Sequence, residues 1–199
     1  MSASHDTETA PVTRPSTLGP SAATRVVAVV VSALVWGALV YVSRFTPHVF
    51  GIQPIYPAPA VAPAFGLWFG VWGAIGQILG TTVSQLPAGL SPLVWIPSNL
   101  AQGLFALLPA LLYRHLTVDG WQRWLRYAGV CVLTVLLVEL VVTWNLSLNG
   151  LVPFAIGLRT VFPLNSVVAA LWMLLIGPVV LHTVSPYVVK AGLRLGHLV

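Results

Sequence analysis

One acidic side chain lies inside the apolar part of this sequence, and its type and position suit it to bind a ligand. Glu139 stands near the middle of residues 127–149 (YAGVCVLTVLLVELVVTWNLSLN). This run is long enough to cross a bilayer, which takes roughly 20 mostly apolar residues. A carboxylate at the membrane centre costs on the order of 2.5–3.5 kcal/mol on insertion scales, so it usually faces protein or a wet cavity. Glu139 therefore predicts a polar site that binds a positive or hydrogen-bond-donating group.

Indole and amide side chains accompany this carboxylate on neighbouring apolar segments. Trp95 and Asn99 are four residues apart, which places them on one face of a helix. Asn165 opens a later segment at a similar expected depth, in the outer half of the membrane. Ligand pockets combine aromatic walls with a few placed polar groups. We therefore predict a substrate-binding site formed by Trp95, Asn99, Glu139, Trp144, Asn145 and Asn165.

Each of these residues also has a simpler role open to it. Tryptophan at a membrane edge commonly anchors a helix at the interface, which is the alternative for Trp95 and Trp144. Asparagine commonly hydrogen-bonds a neighbouring helix, which is the alternative for Asn99 and Asn165. A protonated Glu139 bonded to a backbone carbonyl is a third alternative.

The composition assigns the chain to the integral membrane proteins. Hydrophobic residues make up 57% of it, charged residues only 7%, and the mean hydropathy is +0.91. Soluble domains carry about 25% charged residues. The single cysteine, Cys131, excludes a disulfide framework and a paired-cysteine metal site. The net charge of +5 resides mainly at the ends of apolar segments, which favours a topology signal over nucleic-acid binding.

The polar and apolar stretches divide the chain into three parts. Residues 1–24 predict a disordered cytoplasmic tail, 25–185 an all-α transmembrane domain, and 186–199 a short basic cytoplasmic tail. The first apolar run begins only at Val26 and continues for a full membrane thickness. We therefore expect it to be a retained helix and not a cleaved signal peptide.

The number of membrane helices depends on residues 57–86, which are rich in proline and glycine. They predict two short helices turning near Gly70, with one long tilted helix as the alternative. The other predicted helices are 25–43, 91–113, 127–147 and 160–183. Two short helices give a six-helix bundle with seven of the nine basic residues on one side, whereas one long helix gives a split of three against six. Cytoplasmic loops collect Lys and Arg, so we predict six helices in the cell membrane with both termini cytoplasmic.

Small residues recur at helical spacing along the first helix. Ala28 with Ser32, and Ala33 with Gly37, allow another helix to approach closely. These four residues predict a docking face for a partner protein, and packing within the same chain is the alternative.

The chain resembles the substrate-binding S component of energy-coupling factor (ECF) transporters. The resemblance covers residues 26–184 and rests on AFGLWFGVWGAIGQILG, PSNLAQGLFALLPALLYR and FPLNSVVAALWMLLIGP. It implies a six-helix subunit that binds a vitamin-like micronutrient from outside and docks on a coupling membrane protein with two ATPases. It also implies a ligand pocket formed by the first outer loop and the outer halves of the fourth, fifth and sixth helices, and partner contacts through Ala33 and Gly37 or Ala28 and Ser32.

The sequence lacks the motifs of an enzyme or an ATPase. No GxxxxGK[ST] phosphate loop occurs, and the histidines lack HExxH spacing. We therefore expect a transporter subunit without catalytic residues, cofactor or metal. The substrate we predict is a small heteroaromatic compound, stacked by indoles and held by Glu139. Two alternatives remain, namely a solitary gradient-driven carrier and a non-transporting sensor or assembly module.

Overall fold

The computed structural model describes residues 21–46, 55–88 and 92–195 of the chain. Within these ranges the chain is helical and contains no β-strand. Most of the predicted N-terminal tail lies outside the described residues, as do residues 196–199. The helices are α1 (Ala22–Ser43), α2 (Ala58–Phe69), α3 (Val71–Gln85), α4 (Pro92–Gln102), α5 (Leu104–Leu112), α6 (Trp121–Leu148), α7 (Phe154–Arg159), α8 (Val161–Leu175) and α9 (Gly177–Lys190).

Three helical stretches of the described chain are long and apolar enough to cross a membrane. They are Ala22–Ser43, Trp95–Leu112 and Trp121–Leu148. Helices α8 and α9 meet at a bend of 43° and make a fourth if they form one span. The chain is thus a helical protein of membrane type, as its composition predicts. The six-span arrangement requires α2 and α3 as well, and it stays a prediction.

Helices α2 and α3 form a tight antiparallel hairpin at Gly70. The prediction of two short helices turning near this residue is confirmed. Gly70 has φ 58° and ψ −131°, a backbone conformation that residues other than glycine rarely adopt. Across the hairpin, Gln77 Nε2 donates a hydrogen bond to the carbonyl oxygen of Ala62 at 3.3 Å. Gly73 lies so close to the Phe65 carbonyl that a β-carbon would collide with it.

Helix α2 is the central element of the bundle. Eleven of its 12 residues are buried, and it contacts α1, α3, α5, α8 and α9. Gly66 brings its backbone against α5, where a β-carbon would collide with the carbonyl oxygen of Ala106. A continuously apolar helix of this kind is expected to be buried on all sides. Its sequence (APAVAPAFGLWF) therefore explains its central position.

Two predicted helices are interrupted in the structure. Residues 91–113 divide into α4 and α5 at Gly103, and residues 160–183 divide into α8 and α9 at Ile176. Pro178 accounts for the second break, because proline has no N–H to continue the helical ladder and its ring clashes with the preceding turn. Helix α9 continues to Lys190, five residues into the predicted C-terminal tail. The short helix α7 was not predicted.

The small residues of α1 pack against α3 of the same chain. Ala28 and Ser32 are fully buried, and a β-carbon on Gly76 would lie 2.5 Å from Ser32 Cβ. A β-carbon on Gly80 would lie 2.5 Å from the Ala33 carbonyl oxygen. Ala28 and Ser32 therefore pack within the same chain, which is the alternative to a docking face for a partner protein. Ala33 and Gly37 also line an apolar groove of about 460 Å³ between α1 and α3, and their docking role stays a prediction.

Both described ends of the chain meet the α2–α3 turn. The Arg25 guanidinium lies over the Trp72 ring at 5.6 Å, and the backbone N–H of Leu195 donates to the carbonyl oxygen of Trp68 at 2.9 Å. Trp68 Nε1 donates to Ser185 Oγ at 2.9 Å. The start of α1 and the residues after α9 therefore lie at the same end of the bundle.

Candidate functional site

The Glu139 carboxyl lies between α6 and α8. It is 5% exposed, and the side chain of Asn165 on α8 lies close enough to interact with it. Within the described part of the chain, Glu139 Oε2 has no hydrogen-bond partner. The Tyr56 phenol, just before α2, lies within electrostatic range of the same carboxyl. The carboxyl thus lies beside an amide, and its Oε2 remains open to a donor.

This arrangement can bind a cation or a hydrogen-bond donor. Buried polar atoms in folded proteins almost always have partners, and a buried charge without one is costly. A ligand ammonium, amidine or ring N–H group would supply the partner that Glu139 Oε2 lacks. Asn165 would hold the carboxyl in place while the ligand binds.

Asn145 is linked to α4 further along the same helix. Its Nδ2 donates to Ser98 Oγ at 2.7 Å, and both residues are buried. Asn149 Nδ2 donates to the carbonyl oxygen of Asn145 at 2.8 Å. Asn145 is therefore engaged in joining α6 to α4.

Trp95 and Asn99 lie on the face of α4 that packs against α3, away from the contact between Ser98 and Asn145. Asn99 Nδ2 donates to Thr82 Oγ1 at 3.1 Å, while the Thr82 hydroxyl donates to the carbonyl oxygen of Ile78 at 2.8 Å. Trp95 and Asn99 line a cavity of about 100 Å³ with Thr82 and Gln85. The lining residues of this cavity include neither Glu139 nor Asn165.

Trp144 lies apart from the other predicted site residues. Its side chain is 50% exposed, and it borders a shallow apolar concavity with Leu140, Val141 and Phe154 on the outside of the bundle. An exposed indole near the end of a spanning helix has the placement of an interfacial anchor, the alternative given above. Its role in ligand binding stays a prediction.

The structure therefore distributes the predicted site over four places. Glu139 and Asn165 are brought together, Asn145 is joined to Ser98, Trp95 lies with Asn99 on the α3 side, and Trp144 lies on the outside of the bundle. Sequence reasoning missed Tyr56, although that residue precedes the proline-rich start of a buried helix. It also missed Ser98, although this residue is adjacent to Asn99. Among residues 21–46, 55–88 and 92–195, no group of His, Cys, Asp and Glu side chains could hold a metal ion.

Comparison with known proteins gives no relative for this chain. It matches no family model, no curated protein and no solved structure.

Proposed function

We propose that the chain is the substrate-binding membrane subunit of an ECF-type uptake transporter. In this role it binds a small, vitamin-like heteroaromatic nutrient from outside the cell. A coupling membrane protein and two ATPase subunits then deliver the nutrient to the cytoplasm. The sequence resemblance and the apolar helical architecture support this proposal.

The observation that carries the proposal is the open oxygen of Glu139. An acid that only joined α6 to α8 would be expected to use both carboxyl oxygens within the protein. Here Asn165 lies beside the carboxyl, while Oε2 lacks a partner in the described chain. A cationic or N–H-bearing ring, such as an aminated pyrimidine or a thiamin-like compound, would complete this site.

The proposed cellular arrangement is a multi-pass protein of the cell membrane with both termini cytoplasmic. The contacts of Arg25 and Leu195 with the α2–α3 turn support placing the two ends on one side. The groove beside Ala33 and Gly37 is the part of the predicted docking face that remains open on the surface. We assign the coupling protein to this groove.

A non-transporting membrane module is the second candidate. The hydrogen bonds from Asn145 to Ser98 and from Asn99 to Thr82 join helices, which is the use of polar residues that this candidate requires. It predicts that no ligand binds at Glu139. A solitary carrier, in contrast, would bind ligand at Glu139 and take it up without ATPase partners.

Native mass spectrometry of the protein purified in mild detergent from rich medium tests the proposal. We expect a bound molecule of vitamin size that leaves on collisional activation and is identified by its mass. A mass without ligand, repeated after soaking with a mixture of vitamins, would reject the transport subunit in favour of the packing module. Uptake by cells that lack the coupling ATPases would instead identify a solitary carrier.

A further inference from the structure

The cavity of about 100 Å³ between α3 and α4 is lined by polar side chains from both helices. Thr82 and Gln85 belong to α3, and Trp95 and Asn99 belong to α4. The other described lining residues are apolar, and none of them is charged. The α3–α4 cavity therefore combines an apolar wall with a few neutral polar groups, as small-molecule sites do.

Three of these polar residues carry a buried atom that has no hydrogen-bond partner within the described chain. The atoms are Asn99 Oδ1, Gln85 Oε1 and Trp95 Nε1. Asn99 as a whole is only 5% exposed. Buried polar atoms in folded proteins almost always have a partner, and a missing one is costly. Three such residues around one small cavity indicate that a polar molecule completes their hydrogen bonds.

The hydrogen bonds of Thr82 fix the orientation of the Asn99 amide. The single hydroxyl hydrogen of Thr82 is donated to the carbonyl oxygen of Ile78 at 2.8 Å. Toward Asn99, at 3.1 Å, the Thr82 hydroxyl can therefore only accept, so the amide nitrogen of Asn99 must face it. Asn99 Oδ1 is thus left as an acceptor. The indole N–H of Trp95 can only donate.

This set of groups selects the chemistry of the occupant. Two acceptors, Asn99 Oδ1 and Gln85 Oε1, stand with one donor, Trp95 Nε1. A primary carboxamide is their complement, because it has two N–H donors and one carbonyl acceptor. An ammonium group has no acceptor for the indole N–H. A carboxylate has no donor for the two amide oxygens, and its charge would be buried among neutral groups.

The size of the cavity and its apolar wall restrict the rest of the occupant. An engineered cavity of roughly 150 Å³ encloses one benzene molecule, so the smaller α3–α4 cavity encloses an amide group with little more. Ile96 and Leu100 line the cavity and are also exposed on the outside of α4. A ring or a short carbon chain attached to the amide can therefore lie against these two side chains.

We propose that the α3–α4 cavity binds a small neutral primary carboxamide. Asn99 Oδ1 and Gln85 Oε1 accept its two N–H groups, and the Trp95 N–H donates to its carbonyl oxygen. This site is separate from Glu139, whose carboxyl suits a cation, and it does not depend on the proposed transport function.

Benzamide binding, measured by saturation-transfer NMR in mild detergent with empty micelles subtracted, tests the site. N,N-dimethylbenzamide keeps the ring and the carbonyl but has no N–H, and benzoate has the shape of benzamide with a negative charge. We expect the wild-type protein to bind benzamide at least about fivefold more tightly than either compound, because each of them leaves buried acceptors unpaired. Equal binding of the three compounds would overturn the proposal. So would the absence of saturable benzamide binding, since water would then be the occupant.

Two tryptophan variants form a matched pair for the same measurement. Trp95→Phe keeps an aromatic ring but removes the N–H, and it should lower the affinity for benzamide at least about fivefold. Trp124→Phe makes the same change at an exposed indole on α6 and should leave the affinity unchanged. An equal decrease in both variants would overturn the proposal.

Asn99→Leu keeps the size of the side chain and removes its acceptor. We expect it to abolish the preference for benzamide over N,N-dimethylbenzamide, which a general loss of packing would not change. Trp95→Phe still decides the question if Asn99→Leu is not monodisperse. Loss of benzamide binding in Glu139→Gln, with binding retained in Trp95→Phe, would place the amide at Glu139 and overturn the proposal.

Discussion

The side chain of Asn165 on α8 lies beside the Glu139 carboxyl on α6, and Oε2 of that carboxyl has no hydrogen-bond partner among the described residues. An amide can hold a carboxyl in one orientation without neutralising its charge. Glu139 can therefore still accept a hydrogen bond from a cation. A carboxyl whose two oxygens were both paired within the protein could not.

The first prediction concerns replacement of this carboxyl. Glu139→Gln retains the size of the side chain and its capacity to bond Asn165, but it removes the negative charge. Hydrogen bonds to charged groups contribute about 1.5–3 kcal/mol. We therefore expect affinity for a cationic ligand, measured by titration calorimetry, to fall by roughly ten- to a hundredfold.

The neighbouring residue on α6 provides the control for this variant. Leu140→Ala changes a side chain that is 43% exposed, and it should leave the affinity within about twofold. Equal affinity of Glu139→Gln and the wild-type protein would remove Glu139 from the binding site.

The second prediction concerns the close approach of α2 and α5. In Gly66→Ala the new β-carbon meets the carbonyl oxygen of Ala106, which belongs to the backbone and cannot turn aside. Overpacking of this kind typically costs about 1–3 kcal/mol. We expect the variant to lose its monodisperse elution after a heat step at a clearly lower temperature than the wild-type protein.

Gly129→Ala is the matched control, because a β-carbon there has no atom within 4 Å. Alanine is favoured over glycine in a helix by about 1 kcal/mol, so this variant should be as heat-resistant as the wild type or more so. If both variants lost monodispersity at the same temperature, the close contact between Gly66 of α2 and Ala106 of α5 would be refuted.

The sequence contained enough information to place the turn at Gly70 but not to group the site residues. Glycine and proline act on the backbone of their own segment, so the hairpin and the break before Pro178 are local effects. The partners of Ser98 and Asn99 are different. These adjacent residues point about 100° apart on α4, one toward α6 and the other toward α3.

Which neighbour each of them meets depends on how α4 is rotated and crossed by other helices. Spacing along the chain contains no such information. For the same reason, the sequence placed Trp144 and Asn145 in one site, although successive residues of a helix face different directions. The proximity of Glu139 to Asn165 likewise depends on how α6 packs against α8.

The third prediction concerns the hydrogen bond between Ser98 and Asn145. Interhelical hydrogen bonds in membrane proteins contribute about 0.6 kcal/mol on average and up to about 1.7 kcal/mol. We expect a double-mutant cycle of Ser98→Ala and Asn145→Ala to give a coupling free energy in this range, measured from unfolding in mixed micelles.

A distant pair calibrates this cycle. Thr183 is exposed on α9 and donates to the carbonyl oxygen of Val179 in its own helix. The free energies of unfolding of Thr183→Ala and Asn145→Ala should therefore add without coupling. A coupling of zero between Ser98 and Asn145 would show that their contact does not stabilise the bundle.

The fourth prediction concerns the sides of the membrane on which the helix ends lie. Cysteines introduced at Gln122 before the apolar part of α6, at Arg194 after α9, and at Leu151 after α6 provide three reporters at exposed positions. We expect a membrane-impermeant maleimide added to intact cells to label Leu151→Cys alone. Gln122→Cys and Arg194→Cys should react only after the membrane is opened, because positively charged segment ends favour the cytoplasm.

The wild-type protein is the control, since its Cys131 is buried and should stay unlabelled. Labelling of Gln122→Cys and Leu151→Cys from the same side would mean that α6 does not cross the membrane. Labelling of Arg194→Cys in intact cells would place the C-terminus outside and reverse the proposed topology.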